Sequence, residues 1–262
     1  MTDADPADAG VNPGDRTYRA WVGQPERYDL MAAAQFSLLT HLGLREHHTL
    51  LDLGCGSLRG GRLFIPYLLP ERYFGIEPER WVLEEGIRNV VGQDQIDLKR
   101  PSFSPVDDFR LTVFGRRFDF ILAQSIFSHA SRAQIELTLS QAAEALEPGG
   151  ALVATFMAGQ DDYAGSEWVY PECIGYRPAT VRGVVEAAGL AFADLNWPHP
   201  GLQRWFIASR PDGEALANAA DVETYVGLRD QLEECRDTLV RLGRHPAYRA
   251  YRSVSRLFRR SR

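Results

Sequence analysis

The stretch that decides the fold is Leu51-Asp52-Leu53-Gly54-Cys55-Gly56-Ser57. The apolar residues from 49 to 53 predict a short buried strand, and residues 58–69 predict a helix that Pro66 shortens or kinks. The two glycines therefore lie where a strand turns into a helix. Glycine at such a turn lets the backbone adopt unusual dihedral angles and lets a ligand approach closely.

Outward from this turn, strands and helices alternate along the chain. Helices are predicted at 26–44, 78–90, 132–146 and 178–188, and strands at 73–77, 118–123 and 151–156, with a short third strand and a loop within 94–109. Pro148-Gly149-Gly150 predicts a hard turn. The last two strands, 190–197 and 203–209, have no helix between them, so the final strand should be antiparallel. The pattern predicts an α/β fold with a mostly parallel, doubly wound sheet.

The turn Gly54-Cys55-Gly56, which we call the glycine loop, is better suited to a cofactor without a phosphate. A dinucleotide site needs a third glycine, as in Gly-x-Gly-x-x-Gly, but Arg59 stands at that position, and Asp52 would repel a pyrophosphate. S-adenosylmethionine carries an ammonium and a sulfonium, so a nearby carboxylate attracts it. The same glycines also suit a tight strand–helix turn that binds no ligand.

Glu77 supports the cofactor hypothesis. It ends the predicted strand at 73–77, 21 residues after Gly56. An acid at about this distance in a doubly wound sheet reaches the ribose hydroxyls, and a carboxylate can accept hydrogen bonds from both of them. The alternative is a solvated acid at a helix start, because Pro78 follows.

Four motifs, in this order, resemble those of class I S-adenosylmethionine-dependent methyltransferases over about residues 49–209. They are Asp52-Leu53-Gly54-Cys55-Gly56, Gly75-Ile76-Glu77, Phe118-Asp119-Phe120-Ile121-Leu122-Ala123 and Leu146-Glu147-Pro148-Gly149-Gly150. The resemblance implies a Rossmann-like, seven-stranded sheet with an antiparallel last strand, and S-adenosylmethionine as cofactor without a metal ion. Leu58 departs from the family pattern, in which a third glycine is common.

The resemblance also implies roles for individual residues. The methionine portion would contact the loop residues Asp52, Gly54, Cys55 and Gly56. Glu77 would bind the ribose. Asp107 or Asp108 would contact the adenine amino group, with a slight preference for Asp107. Gln124 and Ser125, just past the strand at 118–123, would lie beside the reactive end of the cofactor.

His129 is the candidate catalytic base. Methyl transfer to a hydroxyl needs a group that accepts the hydroxyl proton, and a neutral imidazole can do so near neutral pH. His129 follows the strand at 118–123 on the carboxyl side of the sheet, where open α/β sheets bind ligands. The alternative is that His129 caps or packs beside the helix that starts near Arg132.

An insertion at 159–177 contains several aromatic side chains with polar tips: Tyr163, Trp168, Tyr170 and Tyr176. Such residues can wall a substrate pocket, or they can attach the insertion to the domain. The sequence does not distinguish these two interpretations.

Three regions are predicted: a disordered acidic leader at 1–24, a methyltransferase domain at 25–210 and a helical tail at 211–262. The net charge is −6, yet residues 241–262 contain eight arginines and no acid. This basic amphipathic end has three candidate partners: the domain itself or a second subunit of a homodimer, an anionic membrane surface, or nucleic acid. The acidic remainder of the chain argues against a stable nucleic-acid complex.

We therefore predict a cytoplasmic enzyme that methylates a small molecule, preferably at oxygen because His129 suits a hydroxyl acceptor. No uncharged apolar run approaches the roughly 18 residues of a membrane span, and the three cysteines are widely spaced. Two alternatives remain. One is a noncatalytic scaffold that binds a partner or a membrane through its tail. The other is an RNA methyltransferase, although no Asn-Pro-Pro-Tyr-like motif follows residue 123.

Overall fold

A computed structural model describes residues 11–211, 213 and 215–219 of the chain. Residues 220–262, which include most of the predicted helical tail and its basic end at 241–262, lie outside the described residues. Within the described residues, no helix is both long and apolar enough to cross a membrane.

The central sheet has the predicted architecture. Its strands are β1 (Leu50–Leu53), β2 (Tyr73–Ile76), β3 (Ser102–Ser104), β4 (Phe118–Ala123), β5 (Leu146–Ala158), β7 (Ala191–Leu195) and β8 (Arg204–Ser209), with the short β6 (Gly175–Tyr176) paired to β5. The strand order is β3-β2-β1-β4-β5-β8-β7. The strands from β3 to β5 are parallel, and β8 is antiparallel to both β5 and β7. The doubly wound sheet of seven strands with an antiparallel last strand is confirmed.

Within residues 11–211, six α-helices connect or flank the strands: α1 (Tyr28–His41), α2 (Gly61–Tyr67), α3 (Arg80–Gly86), α4 (Gln93–Lys99), α5 (Arg132–Ala145) and α6 (Pro178–Ala187). Short 3-10 turns occur at Ala20–Val22, Pro25–Arg27 and Leu111–Phe114. The segment predicted as one helix at 78–90 consists of α3 and a π-helical turn at Ile87–Val91 that follows it directly.

The structure differs from the sequence prediction in two connections. The short third strand predicted within 94–109 is β3, but helix α4 at Gln93–Lys99 was not predicted. This segment is mostly polar and lacks a clear helical repeat of apolar residues. The predicted hard turn at Pro148–Gly150 lies inside β5 as an irregularity of the sheet. Leu146 pairs with Phe118 and Ala151 with Phe120, so residues 147–150 bulge out of register.

Strand β1 sits at the centre of the sheet and carries the glycine loop at its carboxyl end. It pairs in parallel with β2 and β4, and all four of its residues are buried. One apolar cluster packs against the face that contains Leu51, and a second packs against the face that contains Leu50. A central parallel strand is covered on both faces, which is why its sequence is almost wholly apolar. Asp52 is the exception.

Residues 11–24 do not form the disordered segment predicted for the leader. Ala20 is fully buried, and the Trp21 ring lies 5.3 Å from Trp81 and 5.2 Å from Tyr170, measured between ring centres. The acidic composition that predicted a leader ends at Asp15, and aromatic and apolar residues that can pack follow it. The described part of the leader therefore packs on the domain.

Candidate active site

The glycine loop is held against the end of the neighbouring strand. The backbone N–H groups of Gly54 and Cys55 both donate to the carbonyl of Ile76, at 2.9 and 3.0 Å. Gly54 and Gly56 have φ angles of +70° and +53°, and a Cβ at Gly54 would lie 2.3 Å from Cδ1 of Ile126. The loop thus needs glycine both for its dihedral angles and for its close packing. Leu58, which departs from the family pattern, also adopts a positive φ of +58°.

Two buried carboxylates flank this loop. The hydroxyl of Tyr73 donates to Oδ2 of Asp52 at 2.7 Å. The carboxylate of Glu77 accepts hydrogen bonds from the backbone N–H of Gly56 and of Glu79, each at 2.9 Å. Burial raises the pKa of Asp52 to about 6 and that of Glu77 to about 7. A ligand that offers a positive charge or hydrogen-bond donors would stabilise the charged form of both carboxylates and lower their pKa values.

A cavity of about 870 Å³ opens at this edge of the sheet. Its lining includes nine of the ten site residues predicted from the sequence: Asp52, Gly54, Cys55, Gly56, Glu77, Asp107, Gln124, Ser125 and His129. Asp108 does not line the cavity; its carboxylate pairs with Arg110 on the exposed surface. The structure thus brings Asp107 to the cavity and directs Asp108 away from it.

The hydrogen bonds of His129 define which of its nitrogens carries the proton. Its Nδ1 lies 2.8 Å from the carbonyl oxygens of both Val169 and Glu172. Both partners are acceptors, so Nδ1 is the donor and Nε2 keeps a free lone pair in the neutral ring. Burial lowers the pKa of His129, which favours this neutral form. In this neutral form, Nε2 of His129 can accept a proton.

The aromatic residues of the insertion divide between the two predicted roles. Trp168 and Tyr170 line the cavity and lie 5.4 and 5.2 Å from the His129 ring. Tyr176 is buried and donates from its hydroxyl to the carbonyl of Ala130, and Tyr163 packs against the main apolar cluster. Two residues therefore wall the cavity, and the other two attach the insertion to the domain.

Several cavity residues escaped the sequence analysis. Arg59 is buried and lines the cavity, as do Gln35 of α1, Trp21 and Val22. In the sequence, Arg59 stands out only as a departure from a dinucleotide motif. The sequence carries no local signal that Arg59 is buried, because the residues it contacts, Val22 and Gln124, are distant in the chain.

Comparison with known proteins agrees with this geometry. Residues 51–152 match the family model described as a methyltransferase domain. The matched range begins in β1, contains the glycine loop and ends in β5. Most of the cavity's carboxylate and imidazole groups lie within it.

Solved structures share the fold at low sequence identity. Magnesium protoporphyrin IX methyltransferase from Synechocystis, solved with bound SAH, has a TM-score of 0.55 and 14% identity over 71% of this chain and 84% of that one. An O-methyltransferase family protein from Burkholderia thailandensis has a TM-score of 0.50 and 19% identity over 70% of this chain and 58% of that one. A sugar N-methyltransferase from Streptoalloteichus has a TM-score of 0.50 and 19% identity, with 70% and 88% covered. These likenesses establish the fold.

Proposed function

We propose that this chain is a class I S-adenosylmethionine-dependent methyltransferase that transfers a methyl group to a small-molecule acceptor. The match of residues 51–152 to a methyltransferase-domain family model supports this proposal. The observation that carries the proposal is the content of one cavity. It combines the glycine loop, the two buried carboxylates Asp52 and Glu77, and the free Nε2 of His129.

The residues of the cavity suit S-adenosylmethionine. Ligand pockets for drug-sized molecules occupy about 300–1,000 Å³, and this cavity of about 870 Å³ lies near the top of that range. Burial disfavours the charged form of Asp52 and raises its pKa. A neighbouring cation would stabilise that charged form, as the ammonium and sulfonium of the cofactor would. Each carboxylate oxygen of Glu77 accepts one hydrogen bond from a backbone N–H group. Each oxygen has a further lone pair that could accept a hydrogen bond from a ribose hydroxyl.

Further contacts follow from the remaining lining residues. The backbone of Gly54, Cys55 and Gly56 would border the methionine portion. Asp107 would accept a hydrogen bond from the adenine amino group. Gln124 and Ser125 would lie beside the reactive end, where the bound cofactor supplies an electrophilic methyl group.

We assign His129 as the base that accepts the proton of an acceptor hydroxyl, which makes oxygen the preferred acceptor atom. Nδ1–H of His129 is held by two carbonyls, so the ring cannot rotate without losing both hydrogen bonds. Nε2 would accept the hydroxyl proton while the acceptor oxygen takes the methyl group. The sulfur–methyl bond of the donor would break in the same step, and S-adenosylhomocysteine would leave. The sugar N-methyltransferase and the O-methyltransferase family protein share the fold, so the fold alone does not select the atom.

The test is a methyl-transfer screen with isotopically labelled S-adenosylmethionine against metabolite pools. Wild type is compared with Gly54→Arg, whose side chain would enter the packed loop, and with Gly183→Arg, whose site on α6 has no atom within 4 Å of an added Cβ. We expect labelled product from wild type and Gly183→Arg only. Equal labelling by Gly54→Arg would contradict the proposed role of the loop.

Two measurements separate the alternatives. Calorimetry that detects no binding of S-adenosylmethionine or S-adenosylhomocysteine to wild type would favour the noncatalytic scaffold. Labelled product that disappears on ribonuclease treatment would favour the RNA methyltransferase. A labelled product that survives this treatment and passes a small-pore filter supports a small-molecule acceptor.

A further inference from the structure

Arg59 is a buried cation whose hydrogen bonds go to neutral groups. It is 9% exposed and lines the cavity. Its Nη1 donates to the carbonyl of Val22 at 2.5 Å, and its Nη2 donates to Oε1 of Gln124. Its Nε is buried and has no hydrogen-bond partner among the described residues. A guanidinium has five donors in a planar fork, and a buried one is normally paired with an anion.

Arg59 nevertheless stays charged. Burial lowers its pKa, but only to about 10, and Asp52 partly offsets this effect without forming an ion pair with it. The ten salt bridges found within the described residues do not include Arg59. The cavity therefore contains a guanidinium that forms no salt bridge with the carboxylates of the cavity wall.

The side chains around Arg59 have more donors than acceptors. Gln124 Oε1 accepts from both Arg59 and Nε2 of Gln35. On the other side, Gln124 Nε2 lies 3.2 Å from Nε2 of His199. His199 Nδ1 accepts from the backbone N–H groups of Gly201 and Gln203, at 3.0 and 3.1 Å. The hydrogen of the neutral ring must then lie on Nε2, so two donors face each other.

Turning the Gln124 amide over does not remove this mismatch. The amide oxygen would then accept from His199, but the amide nitrogen would face the guanidinium of Arg59. Protonating His199 does not help either, because both of its nitrogens would become donors. Burial also lowers the pKa of His199 to about 4, so the ring is neutral at physiological pH. The cluster lacks an acceptor.

The cluster extends toward the part of the cavity opposite the predicted ribose site. Glu77 and Asp107 lie at the ends of β2 and beyond β3, on one side of β1. Gln124 follows β4 and His199 precedes β8, on the other side of β1. A cofactor that extends from the glycine loop toward β2 and β3 leaves this second side for the acceptor.

We infer that Arg59, Gln124 and His199 form a subsite for an anionic oxygen group, a carboxylate or a phosphate, on the methyl acceptor. The oxygens of such a group only accept hydrogen bonds, which is the property that this cluster lacks. Two of these oxygens can accept from the planar guanidinium at the same time. This inference rests on the proposed function, because it needs the cofactor on the other side of β1. It defines the acceptor as an anionic small molecule.

The test uses the protein loaded with S-adenosylhomocysteine and titrated with benzoate, inorganic phosphate and the neutral analogue benzamide in a calorimeter. We expect at least one of the two anions to bind wild type and benzamide not to bind. In Arg59→Gln the affinity for that anion should fall about tenfold or more, while the affinity for S-adenosylhomocysteine changes less than about threefold. Arg45→Gln is the matched control, because the Arg45 side chain donates to the carbonyls of Thr40 and Leu44, outside the cavity lining. We expect this variant to bind the anion and S-adenosylhomocysteine as wild type does.

A second variant tests the subsite without removing the buried cation. Gln124→Glu gives Arg59 a carboxylate of its own, so we expect a folded protein that no longer binds the anion. Anion binding that is unchanged in both variants would overturn the inference. So would a wild type that binds neither anion, or a tenfold loss of S-adenosylhomocysteine affinity in Arg59→Gln, which would assign Arg59 to the carboxylate of the cofactor. Failure of wild type to bind S-adenosylhomocysteine would instead refute the proposed function.

Discussion

Replacing Asp52 by asparagine should stabilise the ligand-free protein and weaken its binding of S-adenosylmethionine. Asp52 is only 5% exposed, and burial raises its pKa from 3.8 to about 6. At neutral pH the protein therefore holds a buried negative charge that its own residues do not fully compensate. Asparagine has nearly the same shape, can still accept the hydrogen bond from Tyr73, and carries no charge.

The size of the effect depends on pH in a definite direction. The folded chain holds the proton of Asp52 more tightly than the unfolded chain, so its contribution to the free energy of unfolding falls as the pH rises from about 4 to about 6. The difference between the two pKa values corresponds to about 3 kcal/mol at about pH 8 and to about half of that at about pH 5. We expect Asp52→Asn to gain up to these amounts over wild type.

Denaturant unfolding at about pH 5 and about pH 8 measures the stability, and calorimetry measures cofactor affinity. The lost attraction for the cationic cofactor should weaken binding by about tenfold to a hundredfold. Asp119→Asn is the control. Asp119 accepts hydrogen bonds from the N–H and hydroxyl of Thr49, at 2.7 and 2.8 Å, and does not line the cavity. That variant should lose stability and bind the cofactor as wild type does.

Two results would refute this reasoning. One is a stability difference between Asp52→Asn and wild type that does not grow between about pH 5 and about pH 8. The other is unchanged affinity for S-adenosylmethionine. The first result would mean that Asp52 is solvated in the ligand-free protein, and the second that Asp52 does not contact the cofactor.

Three further predictions follow from the site. His129→Gln should lower the rate of label transfer about a hundredfold to ten-thousandfold and leave the calorimetric affinity for S-adenosylmethionine unchanged; a full-rate variant would exclude His129 as the base. Burial raises the pKa of Glu77 to about 7. Because the ribose contact favours the charged carboxylate, cofactor affinity should weaken as the pH falls from about 8 to about 6. The affinity of Glu77→Gln should depend less on pH over the same range. Gly56→Ala places a Cβ 2.4 Å from Val22 Cγ1 at a φ of +53°, so the free energy of unfolding measured with denaturant should fall by about 1–3 kcal/mol. The control Gly183→Ala on α6 should raise it by up to about 1 kcal/mol. Equal effects would show that the loop tolerates a side chain.

Much of the fold was predictable because the sheet has strong local signals. The apolar run at 118–123 coincides with β4, since a central parallel strand is buried on both faces. The antiparallel end of the sheet followed from the absence of a helix between β7 and β8. Helix α4 was missed because its exposed Leu98 and mostly polar residues produce no pattern that distinguishes a helix from a loop.

The site was predictable where position along a strand determines position in space. The glycine loop and Glu77 follow β1 and β2, and ends of neighbouring parallel strands meet at one edge. Asp107 and Asp108 could not be separated, because they are adjacent in a loop whose local backbone decides which side chain faces the cavity. Arg59 could not be placed, because its partners Val22 and Gln124 are 37 and 65 residues away in the chain.

The contacts of residues 11–24 affect how the protein can be shortened for study. The family match starts at residue 51, yet Trp21 covers the rings of Trp81 and Tyr170, and Val22 supplies the carbonyl to which Arg59 donates. A truncated chain that starts at α1 would expose these rings to water and leave the guanidinium short of an acceptor. Such a truncation would aggregate more readily and would misrepresent the ligand affinities of the full chain.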